Sequence, residues 1–281
     1  MIKEQVYRQS LISHLSSLIS HLSFPIANMY RPRIIPVLLL KNKGLVKSVK
    51  FKNHRYIGDP INAVRILNDL KADEIVFIDI MATKENRTIS VDFVKNVGEE
   101  ANMPFSAGGG IRTLEDIRKI IEAGAEKVIL NSIAGEDPDF IRMAADEFGS
   151  STITVCIDIK KDLFGKEKVW LRSGTKAINS IPVQFARQME EMGTGEIIIQ
   201  SIDRDGTMSG YNISLIKKIA ESVTIPVVSL GGAGKIEDLI NLNNLVSMNG
   251  LAAGSLFVYH GDRRAVLVNY PEQNEILKFL K

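Results

Sequence analysis

Two glycine-rich strings, Gly108-Gly-Gly110 and Gly231-Gly232, each follow a short apolar run. Missing side chains there let backbone N–H groups approach an anion closely. One such string more often serves only a tight turn. Two at matching positions point to a pair of phosphate cradles, with Gly109, Gly110, Asn131 and Ser132 forming one and Gly231, Gly232, Gly254 and Ser255 the other. Neither is a P-loop, because Lys235 is followed by Ile236 and the glycine spacing is wrong, and neither is a Rossmann fingerprint. No nucleotide cofactor is expected, and the ligand implied is long, with a phosphate at each end. One carboxylate, Asp158, interrupts the apolar string Val155-Cys-Ile-Asp-Ile-Lys160.

The elements that must hold these residues form a regular series. Runs rich in Val, Ile and Leu at 34–40, 74–80, 104–107, 127–131, 152–159, 196–201, 226–230 and 250–253 alternate with segments of helical period. That is the pattern of parallel strands buried on both faces. The series repeats itself: Glu74 and Glu196 are 122 residues apart, as are Pro104 and Pro226. Eight strands in two matched halves predict a (β/α)8 TIM barrel of two half-barrel repeats, with its site at the carboxyl ends of the strands. A doubly wound open sheet would leave the matched glycine loops without a reason.

Composition narrows the class further. A chain of 281 residues, 45% hydrophobic and 24% charged, has the make-up of a globular protein. A net charge of +2 without a basic stripe argues against nucleic acid, and no apolar run approaches the roughly 18 residues that span a bilayer. A single cysteine, Cys156, excludes a disulfide framework and a multi-cysteine zinc site, which fits a reducing, cytoplasmic setting. Residues 1–28 differ from the rest, with a seven-residue echo carrying His14 and His21. We expect an extension that is disordered or not translated, its histidines on a solvated face and not on a metal, and a barrel over residues 29–281.

From about Arg33 to Phe257 the chain resembles the cyclase subunit of imidazole glycerol phosphate synthase. The strings that carry the resemblance are Phe105-Ser-Ala-Gly-Gly-Gly-Ile-Arg and Ser201-Ile-Asp-Arg-Asp-Gly-Thr207-Met-Ser-Gly210. It implies ring closure of a bisphosphorylated ribulosyl aminoimidazole carboxamide ribonucleotide, with ammonia from a glutaminase subunit in a heterodimer. No metal or cofactor is implied. It also implies Asp158 as a catalytic carboxylate, Asp205, Gly206 and, in the loop after strand one, Lys47 as ligand contacts, and Arg33, Glu74, Lys127 and Glu196 as a charged ammonia entrance at the starts of four strands.

The departures are concentrated at the mouth. Leu39 occupies the strand-one position where the resemblance implies a second aspartate, and Gln200 and Leu230 stand where smaller polar residues are expected. Three functions follow: the cyclase itself, a paralogue that passes ammonia to acetamidino modification of surface sugars, and a non-catalytic scaffold that activates the glutaminase.

Overall fold

The computed structural model describes residues 31–261 and 263–279, so the expected extension at 1–28 lies outside the described residues. Eight parallel strands follow one another: β1 (Arg33–Lys41), β2 (Ile75–Asp79), β3 (Phe105–Gly108), β4 (Lys127–Leu130), β5 (Ile153–Lys161), β6 (Glu196–Ser201), β7 (Val227–Leu230) and β8 (Gly250–Ala253). Each pairs with the next, and β8 pairs with β1 through Arg33 opposite Gly250 and Pro36 opposite Ala253, so the sheet closes into a barrel. Helices α1 (Pro60–Asp69), α2 (Val91–Glu100), α3 (Leu114–Glu122), α4 (Pro138–Phe148), α5 (Pro182–Glu191), α6 (Ile213–Ala220), α7 (Ile236–Leu245) and α8 (Gln273–Phe279) separate the strands and follow the last.

Local chemistry starts several helices where the topology needs them. Asp59 accepts from Asn62 N at 2.9 Å just before Pro60, and Thr113 and Asp116 form a reciprocal capping box at α3. The strands read as continuous apolar runs because both faces are covered. Ile34, Leu38, Phe77, Val128 and Ile197 join the large core under the helices, while Ile35, Val37, Val76, Ile129, Ile198, Val228 and Ala252 fill the barrel interior.

The repeat is visible as geometry. A Cβ on Gly109 would lie 2.7 Å from the carbonyl oxygen of Asp79, and one on Gly231 would lie 2.7 Å from that of Ser201, so both contacts recur 122 residues later. Each half also extends its first strand into an antiparallel hairpin. Gly44–Val49 folds back on β1 and pairs with Lys52–Gly58, while Glu167–Leu171 folds back on β5. The segment after β1, read from sequence as a loop, is therefore largely strand.

Phe77 is fully buried and meets Phe93 edge-to-face at 5.3 Å between ring centroids. Phe77→Ala is expected to lower stability by about 3–5 kcal/mol, measured from the midpoint of urea unfolding.

Candidate functional site

A cavity of about 900 Å³ opens at the carboxyl ends of the strands and collects every mouth residue singled out from sequence: Lys47, Gly109, Gly110, Asn131, Ser132, Asp158, Asp205, Gly206, Gly231, Gly232, Gly254 and Ser255. The glycine loops have the backbone that only glycine adopts easily, with φ of +132° and +69° at Gly109 and Gly110, and +95° and +112° at Gly231 and Gly232. A side chain at Gly110 would also strike the Arg87 carbonyl, and one at Gly232 the Gly210 carbonyl. The strand-four residues already have partners. Asn131 Nδ2 donates to the Cys156 carbonyl at 2.8 Å, and Ser132 Oγ accepts from Arg172 N at 3.0 Å.

Asp158 is buried on β5, level with Gln200 on β6. Burial pushes its carboxyl from 3.8 up to about 7, against hydrogen bonds from Asn131 and Cys156 and with help from the negative charge of Asp205. Burial likewise drives the Cys156 thiol well above its ordinary range, with Asp158 beside it at 3.8 Å, so Cys156 is an inert neighbour. In the first half the equivalent level is held by Leu39 beside Ile78, 122 residues before Gln200. At this level β1 and β2 present hydrocarbon, whereas β5 and β6 present polar groups.

The hairpin after β1 crosses the mouth and is tied to the loop after β6. Asp205 Oδ2 accepts from Ser48 Oγ at 2.8 Å and from Phe51 N at 3.4 Å, while its carbonyl accepts from Lys50 N at 2.9 Å. Gly206 has φ of +68°, and a Cβ there would strike the Ser48 carbonyl. Lys47, on the first strand of this hairpin, is buried with its amine against Gly254, and burial lowers its pKa, partly offset by Asp205.

At the opposite end Arg33 forms ion pairs with both Glu74 and Glu196. Lys127 reaches Glu196 at 3.3 Å and Glu74 at 3.9 Å, and Ser106 Oγ donates to Glu74 at 2.9 Å. Burial raises Glu74 above the usual carboxylate range despite Arg33 and Lys127. Removing one member of such a cluster strands a desolvated charge, a loss of about 3–5 kcal/mol. The four residues expected to meet do so around the barrel axis.

Two features escaped the sequence reading. Arg172 lines the cavity above the first cradle and is held by Glu136 at 2.6 Å, and Asp79 at the end of β2 is engaged by Arg87 at 2.6 Å. Asp79 stands 122 residues before Ser201, so the repeat could have found it; nothing local marks Arg172. Among the described residues no cluster of three or more His, Cys, Asp or Glu side chains is placed to hold a metal, and no helix is long and apolar enough to cross a membrane.

Fold and site together define a (β/α)8 barrel with twin glycine loops flanking the buried Asp158 and a charged ring at its far end. The family described as Histidine biosynthesis protein matches residues 33–263, and the chain belongs to that family. A Pseudomonas aeruginosa protein provisionally named imidazole glycerol phosphate synthase subunit hisF2 is 46% identical over 88% of this chain and 99% of its own length. A Vibrio vulnificus protein provisionally named subunit hisF3 is 41% identical over 91% of this chain and 99% of its own. The Alkaliphilus metalliredigens imidazole glycerol phosphate synthase subunit HisF is 41% identical over 83% of this chain and 92% of its own.

The raised Asp158 pKa makes stability depend on pH with a definite sign. The folded carboxyl holds its proton more tightly than the unfolded one, so stability present below pH 3.8 is lost as pH rises to about 7 and stays lost above it. Asp158→Asn removes the dependence. The variant should match the wild type near pH 4 and exceed it at pH 8 by at most ~4 kcal/mol in chemical denaturation.

Proposed function

We propose that this chain is a cyclase-type subunit of imidazole glycerol phosphate synthase, acting in a heterodimer with a glutaminase. The observation that carries the reading is the placement of two polar ends on one axis. The ring of Arg33, Glu74, Lys127 and Glu196 is at one end, and Asp158 between two glycine cradles is at the other. The names of the relatives support it. The glutaminase docks at the charged ring, and ammonia crosses the layer of Ile35, Val76, Ile198 and Val228 as the neutral molecule. Side-chain rotation admits a molecule of that size, while the desolvation of ammonium, several kcal/mol, keeps the ion out.

In the cavity the cradles hold the two phosphates of the ribulosyl aminoimidazole carboxamide ribonucleotide, with Lys47 on the hairpin and Asp205 bonded to it. Asp158, with a pKa of about 7, is divided between acid and base near neutrality and can take up a proton as the new bond to nitrogen forms. The products are imidazole glycerol phosphate and the carboxamide ribonucleotide. A chain with a single cysteine suits a reducing compartment, so the reading takes the pair to work in the cytoplasm.

Leu39 favours a second reading. The hydrocarbon pair Leu39 and Ile78 leaves the face opposite Asp158 without a proton carrier, as expected of a paralogue that passes ammonia to acetamidino modification of surface sugars.

The purified chain, given ammonium salt and the bisphosphorylated ribonucleotide, should form imidazole glycerol phosphate. Asp158→Asn should slow this at least ~100-fold, and Leu39→Asp should raise it. No product from either wild type or Leu39→Asp sinks the cyclase reading and leaves the ammonia-passing one. Lys127→Ala should depress glutamine-driven turnover in the heterodimer while sparing turnover on ammonium salt.

A further inference from the structure

One polar group on the second half of the mouth has no partner. Gln200 is 4% exposed, faces the cavity and is level with Asp158. Its Nε2 donates to Asp205 Oδ1 at 3.5 Å, and a carboxylate oxygen accepts, which turns the amide oxygen away from Asp205. That oxygen, Oε1, meets no hydrogen-bond donor among the described residues. A buried carbonyl left unpaired weakens the fold, so its presence points to a ligand that donates hydrogen.

A second group lies on the same inward line. Thr154 Oγ1 on β5 is buried and equally unpartnered, beside Glu196 in the strand register. It stands four residues below Asp158, about 13 Å along the strand. Cys156 and Ile198 occupy the level between and pack with the interior side chains. The hydrocarbon layer is thus flanked by one free polar group on its entrance side and one on its cavity side.

We infer that the side-chain carbonyl of Gln200 is the docking point for ammonia where it enters the cavity, with the Thr154 hydroxyl as the matching contact on the entrance side. Ammonia has three N–H donors and one lone pair. A carbonyl takes an N–H and leaves the lone pair free for the bound ligand, whereas a donor at this place would bind the lone pair and block attack. Leu39 and Ile78 offer no competing hydrogen bond, and Asp158 stands ready on the adjacent strand. The inference rests on the ammonia-transfer reading above and assigns its nitrogen site.

The test uses the full chain labelled with 15N on glutamine side chains, the Gln200 amide being identified by its loss in Gln200→Leu or, if leucine disturbs packing, Gln200→Met. Titration with ammonium chloride at pH 8.5 should shift that resonance saturably, and sodium chloride at the same ionic strength should not. Equal responses to the two salts overturn the proposal. In the turnover assay Gln200→Leu should raise the KM for ammonium about five- to tenfold, the worth of one neutral hydrogen bond, with the KM for the bisphosphorylated ligand unchanged. An unaltered ammonium KM also overturns it. An ammonium-specific shift without any turnover removes the cyclase reading and leaves the ammonia site standing.

Discussion

In a closed barrel of parallel strands only every second residue points inward, and that alternation sorts the chemistry of this molecule along one axis. On β5 and β6 the inward residues run from Thr154 and Glu196, through Cys156 and Ile198, to Asp158 and Gln200. The outward set, Val155, Ile157, Ile197 and Ile199, is wholly apolar and lies under the helices. On these two strands the inward polar groups therefore sit at the two ends of the interior. The charges at the amino end are held because each carboxylate meets both cations, Arg33 and Lys127, around the barrel axis.

The two ends are built differently. The charged ring rests on strand positions fixed by the barrel register. The mouth depends on loops and on the hairpin between β1 and α1, which reaches across to the loop after β6 and is fastened at one carboxylate, Asp205. Engaged by Ser48 and Phe51, Asp205 joins the wall of the cavity it lines to the placement of that hairpin. Lys47 is desolvated by the same closure, which leaves its amine pressed to Gly254.

Much of the architecture was legible in the sequence because it follows from short-range pattern. The eight apolar runs match the eight strands to within a residue or two, and the interval between Glu74 and Glu196 is the interval at which the glycine contacts recur. The hairpins were not legible. Lys52–Gly58 is strand with five exposed residues and little apolar alternation, and its pairing is fixed by contacts with Gly44–Val49 and by the distant Asp205. For the same reason Lys47 read as a loop side chain. The partners of Ser132 and Asp79 belong to Arg172 and Arg87, which only the folded loops bring into reach.

Twin cradles related by an internal repeat raise a question of direction. A ligand with a phosphate at each end would meet nearly the same glycine geometry whichever way round it lay, so the glycine loops by themselves would leave its direction open. Leu39 with Ile78 on one flank, and Asp158 with Gln200 on the other, break that degeneracy. A ligand with unlike halves would meet the Asp158 carboxyl on one flank and hydrocarbon on the other. The unlike flanks thus give an otherwise two-fold cavity a head and a tail.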